Sequence, residues 1–161
     1  MTENANKSQM WENFEKYAIM SAKFSWILIL IYCVVALIMG IVGIVGLAAI
    51  EAAYDPILQQ AQLEQELASA KASIAWYFIQ IIVMLFLDLI YVKPRFSNKF
   101  VAKDWTYLVN DVVSLGSIQI PKMVVLAVLA IIFSNGWGST LFIAPVVLYI
   151  FFGPIPIKWK K

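Results

Sequence analysis

Long runs of apolar residues, separated by shorter polar segments, are the main pattern along this chain. The longest run covers residues 24–50 and contains no charged residue. About 20 apolar residues suffice for an α-helix to cross a hydrocarbon core of about 30 Å, so this run predicts a first transmembrane helix. A second apolar run, residues 74–92, predicts a second one. Its interfacial aromatic residues are Trp76 and Tyr77 at the outer edge and Tyr91 at the inner edge.

The residues before the first run, 1–23, are more polar. From Gln9 onward, apolar residues recur at near-helical spacing, while Glu12 and Lys16 supply charge. This pattern predicts a cytoplasmic N-terminal segment with a short amphipathic helix that lies in the membrane interface.

Small residues form a stripe along the first predicted span. They lie three or four positions apart, near one face of the helix: Ala36, Gly40, Gly43 and Gly46. Small residues at this spacing let a second backbone approach closely in a membrane. The second backbone belongs either to another helix of this chain, which we favour, or to another subunit.

The segment between the two spans, residues 51–73, is acidic, with four Asp and Glu residues and one Lys. Asp55 followed by Pro56 is typical of a helix start. No helix breaker follows before Pro94. We therefore predict an outer helix over residues 56–73 that continues into the second span and projects from the membrane.

Apolar residues with a 4-3-4 spacing follow one face of this outer helix: Leu63, Leu67, Ala70 and Ile74. Such spacing is typical of the seam between two packed helices. It predicts either a seam for a partner helix or a contact with the end of the first span.

Basic residues dominate the segment after the second span. Pro94 is predicted to end the helix, so that residues 93–104 form a basic inner loop. Residues 105–120 then mix apolar and polar side chains at helical spacing. This mixture predicts an amphipathic helix on the inner membrane interface.

The last two apolar runs are short. They are predicted as membrane-inserted helices at residues 121–135 and 138–153, followed by a basic tail at 154–161. Either the first of them begins upstream near Val112 with a kink at Pro121, or the two form a re-entrant hairpin. We favour two full spans. Both interpretations return the chain to the side from which it came.

The distribution of basic residues predicts the orientation. Of the twelve Lys and Arg residues, only Lys71 lies on the predicted outer side. The positive-inside rule therefore places both termini in the cytoplasm. The fold class predicted is an all-α integral membrane protein with four membrane-inserted helices, interfacial amphipathic helices and a long second helix that projects outside. The charge asymmetry favours a prokaryotic cell membrane.

Composition narrows the possible functions. The chain has 161 residues, of which 62% are hydrophobic and 14% charged, and its net charge is only +2, so we predict no nucleic-acid partner. Histidine is absent and cysteine occurs once, as Cys33. Sites built on histidine or on several cysteines are thereby excluded. We predict no cofactor, no metal site and no enzymatic activity.

A few polar residues within or beside the spans are the candidates for chemistry. Asp88 is the one acidic residue clearly inside a hydrophobic run, and such residues are hypotheses for function because burying them is unfavourable. If the third helix begins upstream, Lys122 lies at a similar depth, and we predict an ion pair between Asp88 and Lys122. An ion or proton relay at Asp88 is the alternative. Gln80, near the middle of the second span, is predicted to bond to another helix. Asn135, with Gly136 and Gly138, is predicted to form the tight outer turn between the last two helices.

The leading hypothesis for function is a non-catalytic accessory subunit that packs on larger chains of a membrane complex, among membrane lipids, through the small-residue stripe and the outer helix. The rival hypothesis is a small homo-oligomeric transporter or channel with Asp88 and Gln80 near its pathway. The predicted spans contain few polar residues that could line a pathway, which disfavours the transporter or channel hypothesis.

Overall fold

The computed structural model describes the backbone of residues 2–53 and 60–159, and the side chains of residues 9–52 and 64–159. Within these ranges the chain is mostly helical, with one two-stranded sheet. This content is consistent with the all-α class.

Helix α1, Thr2–Ala53, runs without a break through the predicted amphipathic segment and the first apolar run. No proline occurs before residue 54 and the first glycine is Gly40, so nothing in the sequence ends the helix near residue 23. The amphipathic segment is therefore continuous with the first span rather than a separate element. The part Gln9–Ala52 is long and apolar enough to cross a membrane.

The second long helix has three parts. Helix α2, Gln60–Leu87, continues as a π-helix over Asp88–Ser97 and then as helix α3, Asn98–Val101. The acidic outer residues from 60 onward and the second apolar run thus belong to one helix, which is also long and apolar enough to cross a membrane. The predicted helix start at Asp55 and Pro56 lies outside the described residues.

Pro94 does not end this helix, contrary to the prediction. In the interior of an α-helix, proline lacks an N–H donor and its ring clashes with the carbonyl four residues earlier. Here the turns are π-helical and wider, and the backbone N–H of Asn98 donates to the carbonyl oxygen of Lys93, five residues earlier. The wider turn removes the clash, so the predicted basic loop 93–104 is helical as far as Val101.

A tight turn joins α3 to helix α4, Trp105–Asn110. Lys103 in this turn has a φ of 56°. Asp104 accepts a hydrogen bond from Lys99 Nζ at 2.9 Å and caps α4 by accepting another from the backbone N–H of Tyr107. The bond from Lys99, and then the bond from Tyr107, hold the pKa of the Asp104 carboxyl below its usual value.

A β-hairpin follows α4, where the sequence pattern predicts the second part of an interfacial helix. The predicted helix 105–120 is therefore wrong beyond α4: strand β1, Val112–Leu115, pairs antiparallel with strand β2, Ile118–Pro121. Gly116 in the two-residue turn has a φ of +63°, which glycine adopts without strain. Both strands are rich in β-branched residues, whose preference for extended backbone outweighs the helical spacing of the apolar positions.

The last two helices form a short antiparallel hairpin. Helix α5 is Lys122–Phe133 and helix α6 is Thr140–Phe152, joined by a turn that includes one turn of 3-10 helix at Trp137–Ser139. At about 1.5 Å per residue, both helices are close to 20 Å long, less than the about 30 Å of a hydrocarbon core. A third span that begins near Val112 is wrong, because Val112 lies in β1.

An aromatic cluster holds the first half of α1, the α3–α4 region and α6 together. The Phe100 side chain is 0% exposed, and its ring centroid lies 5.0 Å from that of Trp105 and 5.2 Å from that of Phe96. Trp11 of α1 lies 5.6 Å from Tyr149 of α6. The cluster places the end of α6 beside the start of α1 and the end of α3.

The small-residue stripe of α1 packs against α2 of the same chain. A Cβ atom added to Gly43 would lie 2.8 Å from Cγ1 of Ile74, and one added to Gly40 would lie 3.5 Å from the ring of Phe78. Ala36 is buried. At Gly40 and Gly43 the second backbone is therefore that of α2, in antiparallel orientation.

The outer ends of the two long helices pack less closely. A Cβ atom added to Gly46 would have nothing within 4 Å. Of the predicted seam, Leu67, Ala70 and Ile74 are half-buried, and the side chain of Leu63 lies outside the described residues. Since Ile74 lies against Gly43, this end of the seam contacts α1.

Candidate functional site

One face of the second long helix carries polar side chains into the protein. Gln80 and Asp88 are both 0% exposed, and so is Met84, midway between them. Spacings of four residues place all three on one helix face. Asp88 is also the first residue of the π-helix. Short π-helical stretches within α-helices are frequent at functional sites, so this face is the candidate site.

The predicted ion pair between Asp88 and Lys122 is absent. Neither carboxylate oxygen of Asp88 has a hydrogen-bond partner among the described residues. Lys122 Nζ instead donates to Asp111 Oδ1, at 2.5 Å. A buried carboxylate without a partner is rare, because burial is unfavourable unless hydrogen bonds or opposite charges compensate.

The β-hairpin explains this change of partner. Asp111 directly precedes β1 and Lys122 directly follows β2, and the register pairs Val112 with Pro121. The hairpin therefore places Asp111 and Lys122 next to each other, and the backbone N–H of Lys122 also donates to the Asp111 carbonyl oxygen, at 2.7 Å. The ion pair was mispredicted because the hairpin was not foreseen.

Gln80 bonds to the turn between α5 and α6. Its Nε2 donates to Oδ1 of Asn135 at 3.1 Å. The sequence interpretation singled out both residues without pairing them. This bond ties the tip of the short hairpin to the middle of the second apolar run, as expected of a polar side chain between helices in a membrane.

The turn itself is polar and tightly folded. Asn135 and Gly136 have φ values of +50° and +80°, in the left-handed region that glycine and asparagine tolerate best. Ser134 and Ser139 are fully buried, with their Oγ atoms 2.7 Å apart. Ser134 Oγ also donates to the carbonyl oxygen of Ala130, so both serines are satisfied within the hairpin.

The tip of the hairpin lies beside the apolar parts of both long helices, and Phe133 at the end of α5 reaches Trp76 near the start of the second apolar run, with ring centroids 5.5 Å apart. A Cβ atom added to Gly138 would lie 2.7 Å from Cβ of Tyr32, so the two backbones are close. Tyr32 is eight residues into the charge-free run that begins at Phe24, about 12 Å along the helix axis. Gln80 is six residues into the run that begins at Ile74, about 9 Å along its axis.

Two buried tyrosines also carry polar groups into the protein, and the sequence analysis did not identify either as buried. Tyr32 and Tyr91 are 2% and 4% exposed, and their hydroxyl groups have no hydrogen-bond partner among the described residues. Tyr91 had been interpreted as an interfacial aromatic residue, and Tyr32 lies within an apolar run that gave no signal. Like both carboxylate oxygens of Asp88 and the Oε1 of Gln80, these hydroxyl groups are buried polar atoms without a partner among the described residues.

We expect the Gln80–Asn135 bond to contribute about 0.5–1.5 kcal/mol to the free energy of unfolding, the range for hydrogen bonds between membrane helices. A double-mutant cycle with Gln80→Leu and Asn135→Gly, measured by denaturation in detergent, should give that coupling energy. Glycine keeps the positive φ of position 135, so the turn should persist.

The matched control for this cycle is Gln80→Leu with Thr140→Ala. Thr140 begins α6 directly after the same turn, but its Oγ1 donates to the carbonyl oxygen of Trp137 and not to Gln80. Its coupling to Gln80 should be near zero. Equal coupling in both cycles would show that the substitutions act through general loosening of the turn.

In comparisons with known proteins, no family model, no curated protein and no solved structure matches the chain. Among the described residues, no group of three or more His, Cys, Asp or Glu side chains is placed to hold a metal ion. The function is therefore inferred from the geometry of the candidate site.

Proposed function

We propose that this chain is a small integral membrane protein that translocates protons or cations as a homo-oligomer, with Asp88 as the group that takes up and releases the ion. The supporting observation is that Asp88 is 0% exposed and has no hydrogen-bond partner among the described residues. An ionisable side chain at membrane depth is unfavourable for stability, so its presence favours a role in function.

Membrane insertion of the two long helices is the first part of this proposal. Only 28% and 22% of their most apolar windows are buried by the rest of the chain. The core helix of a water-soluble protein would be covered far more completely, whereas lipid can cover such a surface. The short α5–α6 hairpin, with its tip beside Tyr32 and Gln80, fits a re-entrant element that enters from the cytoplasmic side.

A re-entrant hairpin fits the transport proposal because it brings polar backbone and side chains to membrane depth. Irregular backbone at that depth is tolerated where protein buries it or where it borders a water-filled cavity. Gln80 links this turn to the helix face that carries Asp88. Asp88 lies five residues before Lys93, about 7.5 Å from the basic end of the helix. The two membrane-spanning helices of a single chain cannot enclose a pathway. We therefore propose that several copies of the chain form it together.

Cysteine accessibility tests the topology. In a Cys33→Ala background, single cysteines at Ser73, Asn135 and Lys158 are exposed to a membrane-impermeant maleimide on intact cells. We expect labelling at Ser73 only, because lipid shields Asn135 and Lys158 is cytoplasmic. Lys158→Cys should react once the cells are opened, and Asn135→Cys only in detergent. Labelling of Asn135→Cys on intact cells would mean that α5 and α6 cross the membrane.

Flux into proteoliposomes tests the transport proposal. With an imposed membrane potential and a pH dye inside the vesicles, or with radioactive sodium, we expect flux that Asp88→Asn lowers at least about tenfold. A positioned proton-transfer group contributes about 10²–10⁴-fold to the rate in enzymes. Asparagine has nearly the same shape without the charge. Glu66→Gln on the exposed face of α2 is the control and should leave flux unchanged. Wild-type vesicles no more permeable than empty ones would refute the proposal.

The accessory-subunit hypothesis is the second candidate. The small-residue stripe supports it less than the sequence suggested, since Ala36, Gly40 and Gly43 pack inside this chain. What favours it is the outer half of α1, where Gly46 has open space and Val42 and Val45 are 59% and 65% exposed. Purification in mild detergent, with mass spectrometry of every co-purifying chain, distinguishes the two: stoichiometric larger subunits favour this candidate, and a homo-oligomer favours transport. Neither proposal assigns an enzymatic activity.

A further inference from the structure

A groove of about 310 Å³ lies between α2 with its π-helical continuation and α5. Its walls are apolar, formed by Phe86 and Ile90 on one side and Leu126 and Leu129 on the other. Phe86 and Ile90 in the wall of this groove are exposed, by 66% and 45%. It is therefore open to whatever surrounds the helices.

Cationic side chains lie at one end of this groove. Arg95 and Lys122 line it near the basic end of the helix, whereas Val83 marks its other end. Arg95 and Val83 are twelve residues apart, which corresponds to about 18 Å along the helix axis. The groove thus has a charged end and a long apolar part, the pattern of an amphiphile with an anionic head.

Arg95 supplies the uncompensated charge. Lys122 is already paired with Asp111, and among the described residues Arg95 has no carboxylate within salt-bridge distance. A guanidinium group binds phosphate through two parallel hydrogen bonds, which gives it strong preference for phosphate oxygens. The charge at this end is therefore complementary to a phosphate.

A second observation points to a ligand in the same place. Tyr91 lines the groove and is 4% exposed, yet its hydroxyl group has no hydrogen-bond partner among the described residues. Buried hydroxyl groups are normally bonded. Tyr91 lies one helical turn deeper than Arg95, at the depth where the ester or phosphate oxygens of a lipid would follow the headgroup.

We infer that the groove binds one anionic phospholipid of the cytoplasmic leaflet. Its phosphate bonds to Arg95, an oxygen near the glycerol accepts a bond from the Tyr91 hydroxyl, and one acyl chain lies along Phe86, Ile90 and Leu126. This inference rests on the membrane insertion proposed above, but not on ion transport.

Native mass spectrometry of the detergent-solubilised protein tests the inference with phosphatidylglycerol and phosphatidylcholine as probes. We expect one retained phosphatidylglycerol per chain, and affinity about tenfold lower in Arg95→Gln, the effect of losing one charge-assisted contact. Lys93→Gln is the matched control: Lys93 is two residues away on the same helix, but its Nζ lies over the ring of Trp26, 4.3 Å from the centroid. It should retain the lipid as wild type does.

Leu126→Trp provides a second variant that fills the apolar part without touching the charges. It should also lower lipid retention, with thermal unfolding used to confirm that each variant is folded. Equal losses in Arg95→Gln and Lys93→Gln would overturn the inference, since surface charge alone would then explain binding. Displacement of the lipid by inorganic phosphate would overturn it as well, because the apolar walls would play no part.

The lipid measurement and the flux measurement fail independently. If protein that gives no flux in vesicles still retains the lipid, the transport proposal is refuted and the inferred lipid site in the groove is supported. Flux that persists in protein without any specific lipid would refute the groove and leave the transport proposal intact.

Discussion

Replacing Phe100 by alanine should lower the free energy of unfolding by about 3–5 kcal/mol, the range for truncating a large buried aromatic side chain. Phe100 is 0% exposed, and its ring lies within 6.4 Å, centroid to centroid, of the rings of Phe96, Trp105, Tyr149 and Trp11. These rings come from α1, the second long helix, α4 and α6. The cavity left by alanine would therefore weaken the packing between all four.

The control for this prediction is Phe151→Ala. Phe151 is 63% exposed, and its ring lies 6.3 Å from that of Phe152 alone among the aromatic pairs of the described residues. Its loss should change the free energy of unfolding in detergent by less than about 1 kcal/mol, because little buried surface is removed. Similar effects of the two substitutions would mean that the aromatic cluster does not hold the helices together in solution.

Gly138→Ala should be the second strongly destabilising substitution, by about 1–3 kcal/mol or more, as for overpacking of a filled core. The added Cβ would lie 2.4 Å from Cγ, 2.6 Å from Cδ2 and 2.7 Å from Cβ of Tyr32. These atoms are next to the backbone of α1, so the clash cannot be relieved by rotating the end of a flexible side chain. The hairpin tip must move away from α1, which also weakens the Gln80–Asn135 bond.

Gly46→Ala is the matched control for Gly138→Ala. Gly46 lies in the interior of α1, and the added Cβ would meet nothing within 4 Å. Alanine at such a helical position should stabilise the helix by up to about 1 kcal/mol. Thermal unfolding of both variants in the same detergent compares them directly. If Gly138→Ala were as stable as wild type, the hairpin tip would not contact α1 as closely as the structure shows.

Together, the two predictions test different ends of the α5–α6 hairpin. Phe100 reports on the basic end, where α6 meets the start of α1, and Gly138 reports on the tip. A hairpin fixed at both ends is what the proposed re-entrant element requires. Its tip residues must be held by protein because lipid offers them no hydrogen bonds.

Several features could be predicted from the sequence because their cause is local. A charge-free run of 27 residues at 24–50 can hardly be anything but a long apolar helix, and the absence of breakers after Pro56 makes the second helix long as well. The Asn-Gly turn near residue 135 similarly separates the last two helices close to where the structure ends them. Asp88 and Gln80 were recognisable for the same reason, as polar side chains in apolar surroundings.

The tertiary structure alone decided which of these polar groups meet. The sequence predicts that Asp88 pairs with Lys122. In the structure, a β-hairpin formed by β-branched strands and Gly116 places Lys122 next to Asp111, and these two residues form the ion pair. The π-helix that carries the chain past Pro94, and the depth reached by the hairpin tip, depend in the same way on contacts between distant segments. The spacing of apolar residues in the sequence indicates which face of a helix is apolar. The partner of a buried polar group depends instead on which distant segments of the chain pack beside it.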